Sequence, residues 1–178
     1  MKGIFLRRFD ARSDLDFVRQ SMTEGISRFL FSYNMGINTF QDFEAWLVKQ
    51  MRGNFHDFFT VCIDEISNTA GYVYSYDFRP DDLHCRICVY IDPVFHSTGV
   101  GAIAVAEFLK IMFTEYPIRK IYFTVFDFNR LSIESILSAG FTEEAVLKEF
   151  RYFDGNFHDM HILSVSREEF RRIMEKLL

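Results

Sequence analysis

The stretch Ile91-Asp-Pro-Val-Phe-His-Ser-Thr-Gly-Val-Gly101 decides how the rest of this chain is read. Before it, Arg86 to Ile91 is a β-type run that ends at a proline. After it, Ala102 to Thr114 has the pattern of an alanine-rich amphipathic helix. Between them lies a short polar turn carrying Gly99 and Gly101. A strand that feeds a glycine-spaced turn at a helix start can hold a phosphate. The glycines let the backbone approach closely, the first helical amides have no partner inside the helix, and the helix dipole favours negative charge.

Working outward, Gly3 to Phe9 reads as a first strand, and Ser13 or Asp14 as the N-cap of a helix marked by Leu15, Val18, Met22 and Ile26. Tyr33 to Asn38 reads as a loop. Thr39 opens a second helix with Phe40, Phe43, Trp46, Leu47 and Met51 on one side, stopped at Gly53-Asn54. Three strand-like runs follow: Phe58 to Asp64, Ala70 to Phe78 and Leu83 to Ile91, with turns at Ser67-Asn68 and Pro80-Asp81-Asp82. Connections this short demand antiparallel hairpins. Beyond the glycine turn and its helix, Lys120 to Phe126 reads as a strand lying parallel to Arg86–Ile91 through a right-handed crossover. Asn129 to Ala139 is a short helix stopped by Gly140. Ala145–Phe153 and Phe157–Val165 pair around Asp154-Gly-Asn156, and Ser166 caps a closing helix, Arg167 to Leu178. The expected architecture is α+β, with a mixed, mostly antiparallel sheet and one parallel β-α-β step. Residues 1–178 are expected to form a single domain.

Composition narrows the function. The 178 residues carry a formal net charge of −5, which argues against nucleic acid as a partner, because neutralising phosphates takes clustered Lys and Arg. An acidic chain is compatible with a cationic substrate such as an amine. No apolar run approaches the length that spans a bilayer. The odd count of three cysteines and the lack of a secretory signal predict a reducing, cytoplasmic compartment. Cys85-Arg-Ile-Cys88 has the spacing of a redox or zinc site, yet residues three apart on a strand point to opposite faces, so both read as buried thiols and no metal site is expected. Against one Trp stand 22 Phe and 8 Tyr, which predicts a Phe-packed core and leaves room for an apolar cleft or a buried homodimer face.

Three ligands compete for the turn. A dinucleotide fold needs successive β-α-β units, but three antiparallel strands precede this turn and only one crossover follows. A P-loop needs a Lys-Ser/Thr pair after the glycines, and Val100 to Ala104 contains neither. A coenzyme A pyrophosphate held by backbone amides needs no basic residue in the turn.

The order Ile91-x-Pro93-x-x-His96-x-x-Gly99-x-Gly101 closely resembles the acetyl-CoA signature of the GNAT N-acetyltransferases, in which Gln or Arg usually stands where this chain has His96. Asn129-Arg-Leu-Ser132 resembles that family's Asn-x-x-Ser/Ala, and Gly140-Phe141 its Gly-Phe. The closing segment, from Phe141 through Tyr152-Phe-Asp-Gly155 to Asp159, is similar to the ribosomal-protein alanine N-acetyltransferase branch. The resemblance implies a sheet of about seven strands and a pantetheine arm along Val89, Tyr90 and Ile91. It also implies a pyrophosphate cradled by the turn (His96, Ser97, Thr98, Gly99, Val100, Gly101, Ala102), with further coenzyme contacts from Asn129 and Ser132.

It implies as well that acetyl-CoA is the co-substrate, attacked directly by a primary amine of a small molecule or peptide. No enzyme nucleophile is needed, only a route for the amine's proton, a donor to the oxyanion and an acid for the thiolate. The tyrosine that many members place four residues before the Gly of Gly-Phe is Ile136 here, and no Glu occurs from Leu83 to Ile91. The remaining catalytic candidates are His84, Asp77 and Tyr76. The aromatic residues Phe29, Phe31, Tyr33 and Phe40 are candidates for the acceptor wall. A non-catalytic acyl-CoA-binding module is the alternative reading.

Overall fold

A computed structural model describes residues 3–21, 39–63 and 68–177. Met22, Ile26, Phe29, Phe31 and the 33–38 loop lie outside the described residues, as do Ser67 and the side chain of Phe40. The elements run β1 (Ile4–Arg8), α1 (Ala11–Ser21), α2 (Phe40–Gly53), β2 (Phe55–Ile63), β3 (Asn68–Arg79), β4 (His84–Ile91), a 3-10 turn (Pro93–Phe95), α3 (Val100–Glu115), β5 (Lys120–Phe126), α4 (Arg130–Ser138), β6 (Thr142–Phe153), β7 (Asn156–Ser166) and α5 (Arg167–Leu177). The seven strands are ordered β1-β2-β3-β4-β5-β7-β6, and β4 pairs with β5 in parallel. This is the expected α+β architecture, a mostly antiparallel sheet of seven strands with one parallel β-α-β step. The chain divides into two compact units, Met1–Phe78 with Ile87–Ile111 and Arg79–Arg86 with Met112–Leu178.

In the first unit, Val18 of α1 and Phe43 and Leu47 of α2 bury against Phe58, Tyr72, Tyr74 and Tyr90 of the sheet. The rings stack in a row, with centroids 5.2 Å apart for Phe58–Tyr74 and 5.1 Å for Tyr72–Tyr90. Phe108 of α3 meets Phe59 edge-on at 5.8 Å. With helices packed in this way, β2 is buried at every position from Asp57 to Ile63, which is why its sequence is nearly continuously apolar. Thr39 caps α2 through a reciprocal box with Asp42.

The cap of α1 differs from expectation. Asp10 takes the cap, accepting from Arg12 N at 3.0 Å, and Asp14 turns inward with 1 % of its side chain exposed. Its carboxylate accepts two bonds from Arg7 (2.7 and 3.0 Å), one from Asp10 N (2.8 Å) and one from Thr60 Oγ1 (2.7 Å). Burial alone would raise its pKa. These donors outweigh burial and hold it below the ordinary carboxylate value.

In the second unit, Ile121, Phe123 and Val125 of β5 and Leu163 and Val165 of β7 bury one sheet face. Phe141, just after α4, meets Phe123 at 5.3 Å, and Ile173 of α5 lies against Gly140. The opposite face carries Lys120, Tyr122, Thr124 and Ile162, all half-buried. Ser166 and Glu169 form the capping box of α5. Arg167 donates to the carbonyls of Phe113, Tyr116 and Ile118, which the end of α3 leaves without helical partners. The β6–β7 hairpin turns on Asp154 and Gly155, both at positive φ (50° and 79°), the two-residue geometry that matches strand twist.

Further along β6 the register shifts between Leu147 and Arg151, and Glu149 adopts φ 52°. Asp159 clamps this bulge, accepting from Glu149 N (2.9 Å) and Lys148 Nζ (2.7 Å). Asp159→Ala should leave the fold intact and accelerate amide exchange at residues 149–151 more than elsewhere in β6; uniform exchange along β6 would refute the clamp.

Candidate functional site

The turn after β4 is built by its own polar atoms. The Asp92 carboxylate accepts from Val94 N at 3.0 Å, and Thr98 donates its hydroxyl to Phe95 O at 2.6 Å. Ser97 and Gly99 sit at positive φ, 60° and 85°. A Cβ on Gly99 would meet nothing within 4 Å, so glycine is required there for its backbone angle and not for space. Helix α3 begins at Val100, two residues earlier than the sequence pattern suggests, and Ile103 N donates to Gly99 O at 3.1 Å. That bond leaves the amides of Val100, Gly101 and Ala102 without a helical acceptor in the first turn of α3, where Val100 is buried, Gly101 half-buried and Ala102 exposed.

His96 does not stand free at the rim of the turn. Its Nε2 lies 2.9 Å from the carbonyl of Ile91, and a carbonyl only accepts, so Nε2 carries the proton and donates. The ring therefore ties the turn back to the end of β4. Asp92 N donates to Ala70 O, so by strand alternation the polar backbone groups of Ile91 and Val89 face the other edge of β4. The ladder to β5 pairs only His84, Cys85 and Arg86, with Lys120, Ile121 and Tyr122, so Val89 and Ile91 fall outside it. At Gly71 the approach of β3 to β4 is extreme: a Cβ would fall 2.1 Å from Tyr90 O.

In the second unit, Asn129 is the N-cap residue of α4 yet makes no side-chain cap bond. Its amide is left for another partner, while Ser132 lies half-buried in the first turn. The same turn holds a pair that sequence reading missed. His158 Nδ1 is 2.9 Å from Asp127 Oδ1, joining residues 31 apart. Only the β5–β7 register, with Phe126 opposite Met160, brings them together.

The three catalytic candidates lie on β3 and β4. Tyr76 packs beside Tyr74 (6.0 Å), and Asp77 adopts φ 47° near the end of β3. Asp77 is six residues beyond Gly71, about 20 Å along the strand. His84 starts β4, edge-on to Tyr122 at 5.5 Å, with its Nδ1 buried and without a hydrogen-bond partner among the described residues. Cys85 and Cys88 form no disulfide, and burial pushes the Cys88 thiol up to about 11, well out of reactive range.

Among the described residues no helix is long and apolar enough to cross a membrane, and no group of three or more His, Cys, Asp or Glu could hold a metal ion. No curated protein matched the sequence. Among solved structures, spermidine N-acetyltransferase from Vibrio cholerae, in complex with CoA and spermine, is similar at 20% identity and a TM-score of 0.83, over 94% of this chain and 98% of that one. Spermidine/spermine N-acetyltransferase SpeG from the same organism, in complex with manganese ions, gives 21% identity and a TM-score of 0.76, over 95% of each chain. The family model described as "Acetyltransferase (GNAT) family" matches residues 23–141, which contain both the glycine turn and the Asn129 turn. The chain belongs to that family, the acetyl-CoA-dependent N-acetyltransferases.

Proposed function

We propose that this protein transfers the acetyl group of acetyl-CoA to a primary amine of a small polycation, by direct attack on the thioester. The observation that carries the coenzyme assignment is the run of undonated amides from Val100 to Ala102, opened by the positive-φ Gly99. In this reading Thr98 to Ala102 cradle the pyrophosphate, and Ser97 shapes the approach. The edge of β4 at Val89 to Ile91 bonds the pantetheine amides, and Asn129 and Ser132 add contacts. His96 keeps the turn closed on β4 instead of acting as an isolated phosphate ligand. Each helix-terminus charge interaction is worth roughly 0.3–1 kcal/mol when exposed and up to about 2 when partly buried, so several converging N–H groups suffice without a lysine.

The acceptor class rests on the relatives, spermidine and spermine N-acetyltransferases, and on a net charge of −5 that draws cations. A peptide N-terminus is the second acceptor class, supported by the closing segment's resemblance to the ribosomal-protein branch. The family match extends across residues of both compact units, which supports reading the whole chain as one acetyltransferase domain. Cys62, Cys85 and Cys88 form no disulfide, which supports a cytoplasmic setting.

Calorimetric titration should show acetyl-CoA binding to the wild-type protein. Gly99→Glu, which places a carboxylate among the amides, should weaken it by at least about 100-fold, roughly 2.7 kcal/mol, with an unchanged far-UV spectrum. Native wild-type protein that ignores millimolar acetyl-CoA would overturn the assignment.

A further inference from the structure

Resting on that acetyltransferase reading, we propose that His158, oriented by Asp127, is the general base that takes the proton from the acceptor ammonium. Its Nδ1 lies against Asp127 Oδ1 at 2.9 Å, and the carboxylate accepts, so Nδ1 carries the proton and the Nε2 lone pair is the basic site. Nε2 has no partner among the described residues, and the His158 side chain keeps 20 % of its surface in solvent. The Asp127 carboxylate is held in turn by Asp159 N at 3.3 Å, and Asp127 N donates to Asp159 O at 3.0 Å. A base oriented by a fixed carboxylate is the arrangement that proton abstraction needs.

The surroundings favour this histidine over the other two that touch carboxylates. His56 pairs with Asp57 and His161 with Glu143, and neither pair shares an element end with a residue assigned to the coenzyme. Asp127 lies two residues before Asn129, no more than about 7 Å along the chain, inside a turn closed by Asn129 N donating to Phe126 O. Phe128 meets the imidazole edge-on at 4.9 Å and Phe153 flanks it at 6.2 Å, so the ring has few orientations open to it. The charged groups that face it are Asp127 from the turn and Arg151 directly across on β6. Arg151 is drawn over Phe126 (4.9 Å) and Phe153 (5.5 Å), and the neighbouring Asp159 is engaged by Lys148. The pair stands at the edge of the half-buried sheet face, away from the face packed under Phe141.

An alkylammonium with a pKa near about 10.4 is free amine in only roughly one molecule in a few thousand at pH 7. Nε2 takes one proton from the ammonium, and Asp127 stabilises the imidazolium. The amine nitrogen then bonds to the thioester carbonyl carbon, the C–S bond breaks, and its electron pair leaves on sulfur. The second amine proton goes to the thiolate, and His158 returns its proton to solvent. His158 is thus a catalytic residue and Asp127 a positioning residue.

The test uses acetyl-CoA with spermidine, an alanine-first peptide and aniline, following thiol release against pH. His158→Gln should lower kcat/KM for the wild-type's alkylamine substrate by about 100-fold near neutrality. The deficit should shrink as pH rises and the free amine accumulates. Turnover of aniline, already unprotonated at pH 7, and acetyl-CoA affinity should stay within about twofold. Asp127→Asn should cost less and shift the acidic limb of the profile. Folding is checked by far-UV circular dichroism, and if His158→Gln is unfolded, Asp127→Asn carries the test alone. An unchanged profile in the folded variants overturns the proposal. So does a wild-type protein that binds acetyl-CoA yet acetylates no amine of the three. Failure to bind acetyl-CoA overturns instead the coenzyme reading on which this one stands.

Discussion

Replacing Gly71 with alanine is expected to cost more than about 4 kcal/mol, enough to abolish a cooperative unfolding transition in a protein of ordinary stability. The added Cβ would fall 2.1 Å from the carbonyl oxygen of Tyr90 and 2.9 Å from Ile91 Cδ1. The first is backbone, so no side-chain rotation relieves it, and β3 must move off β4. Ala70 and Gly71 lie where β3 slips register against β2, between Val61 and Cys62, so the neighbouring ladder is already irregular there. Gly53→Ala is the control. Nothing lies within 4 Å of its Cβ position at the end of α2, so the change should be neutral or stabilise by about 0.5–1 kcal/mol. Chemical denaturation of both variants checks the pair, and a Gly71→Ala protein within 1 kcal/mol of wild type, as roughly judged by its midpoint, contradicts the geometry.

Asp14→Ala should cost about 3 kcal/mol, the low end for breaking a buried ion pair, because Arg7 keeps about a third of its side chain in water and can rehydrate. The loss is larger than a surface pair would give because Thr60 Oγ1 and Asp10 N lose their acceptor as well. The pH dependence follows from the direction of the shift. The folded carboxyl titrates below its unfolded value, so its contribution is complete above that unfolded value, near 3.8, and is lost as pH falls through the folded one. Denaturation curves of wild type and variant should therefore be well separated at pH 7 and converge in the acid range. A gap that is constant from pH 7 down to pH 2 would sink this account.

Asp14 also marks where reading by sequence stops. An aspartate after Ser13 at a helix start reads as a cap, because capping is local. The partner that turns it inward, Thr60, is 46 residues away on β2. The Thr39–Asp42 box, the Ser166–Glu169 box and the Asp154-Gly155 turn were all legible, since each is closed by atoms within three residues of one another. Tyr76, Asp77 and His84 were natural candidates by residue type, but their positions along β3 and β4 depend on how far each strand runs. His158 offered no signal, since its partner is defined by which strand lies beside β7 and in what register.

The turn from Ile91 to Gly101 belongs to the legible class, and for the same reason. Its glycines, its proline and the helix that follows are consecutive, and backbone angles and unpaired amides are properties of consecutive residues. The sequence by itself therefore determined the family, the donor substrate and the loop proposed to bind it. Only the tertiary structure decided that Asp14 anchors the first unit and that Asp127 meets His158. Those depend on strand order and register, which are set by burying Phe, Tyr and Val side chains across the whole sheet, a collective property that no single stretch of sequence carries.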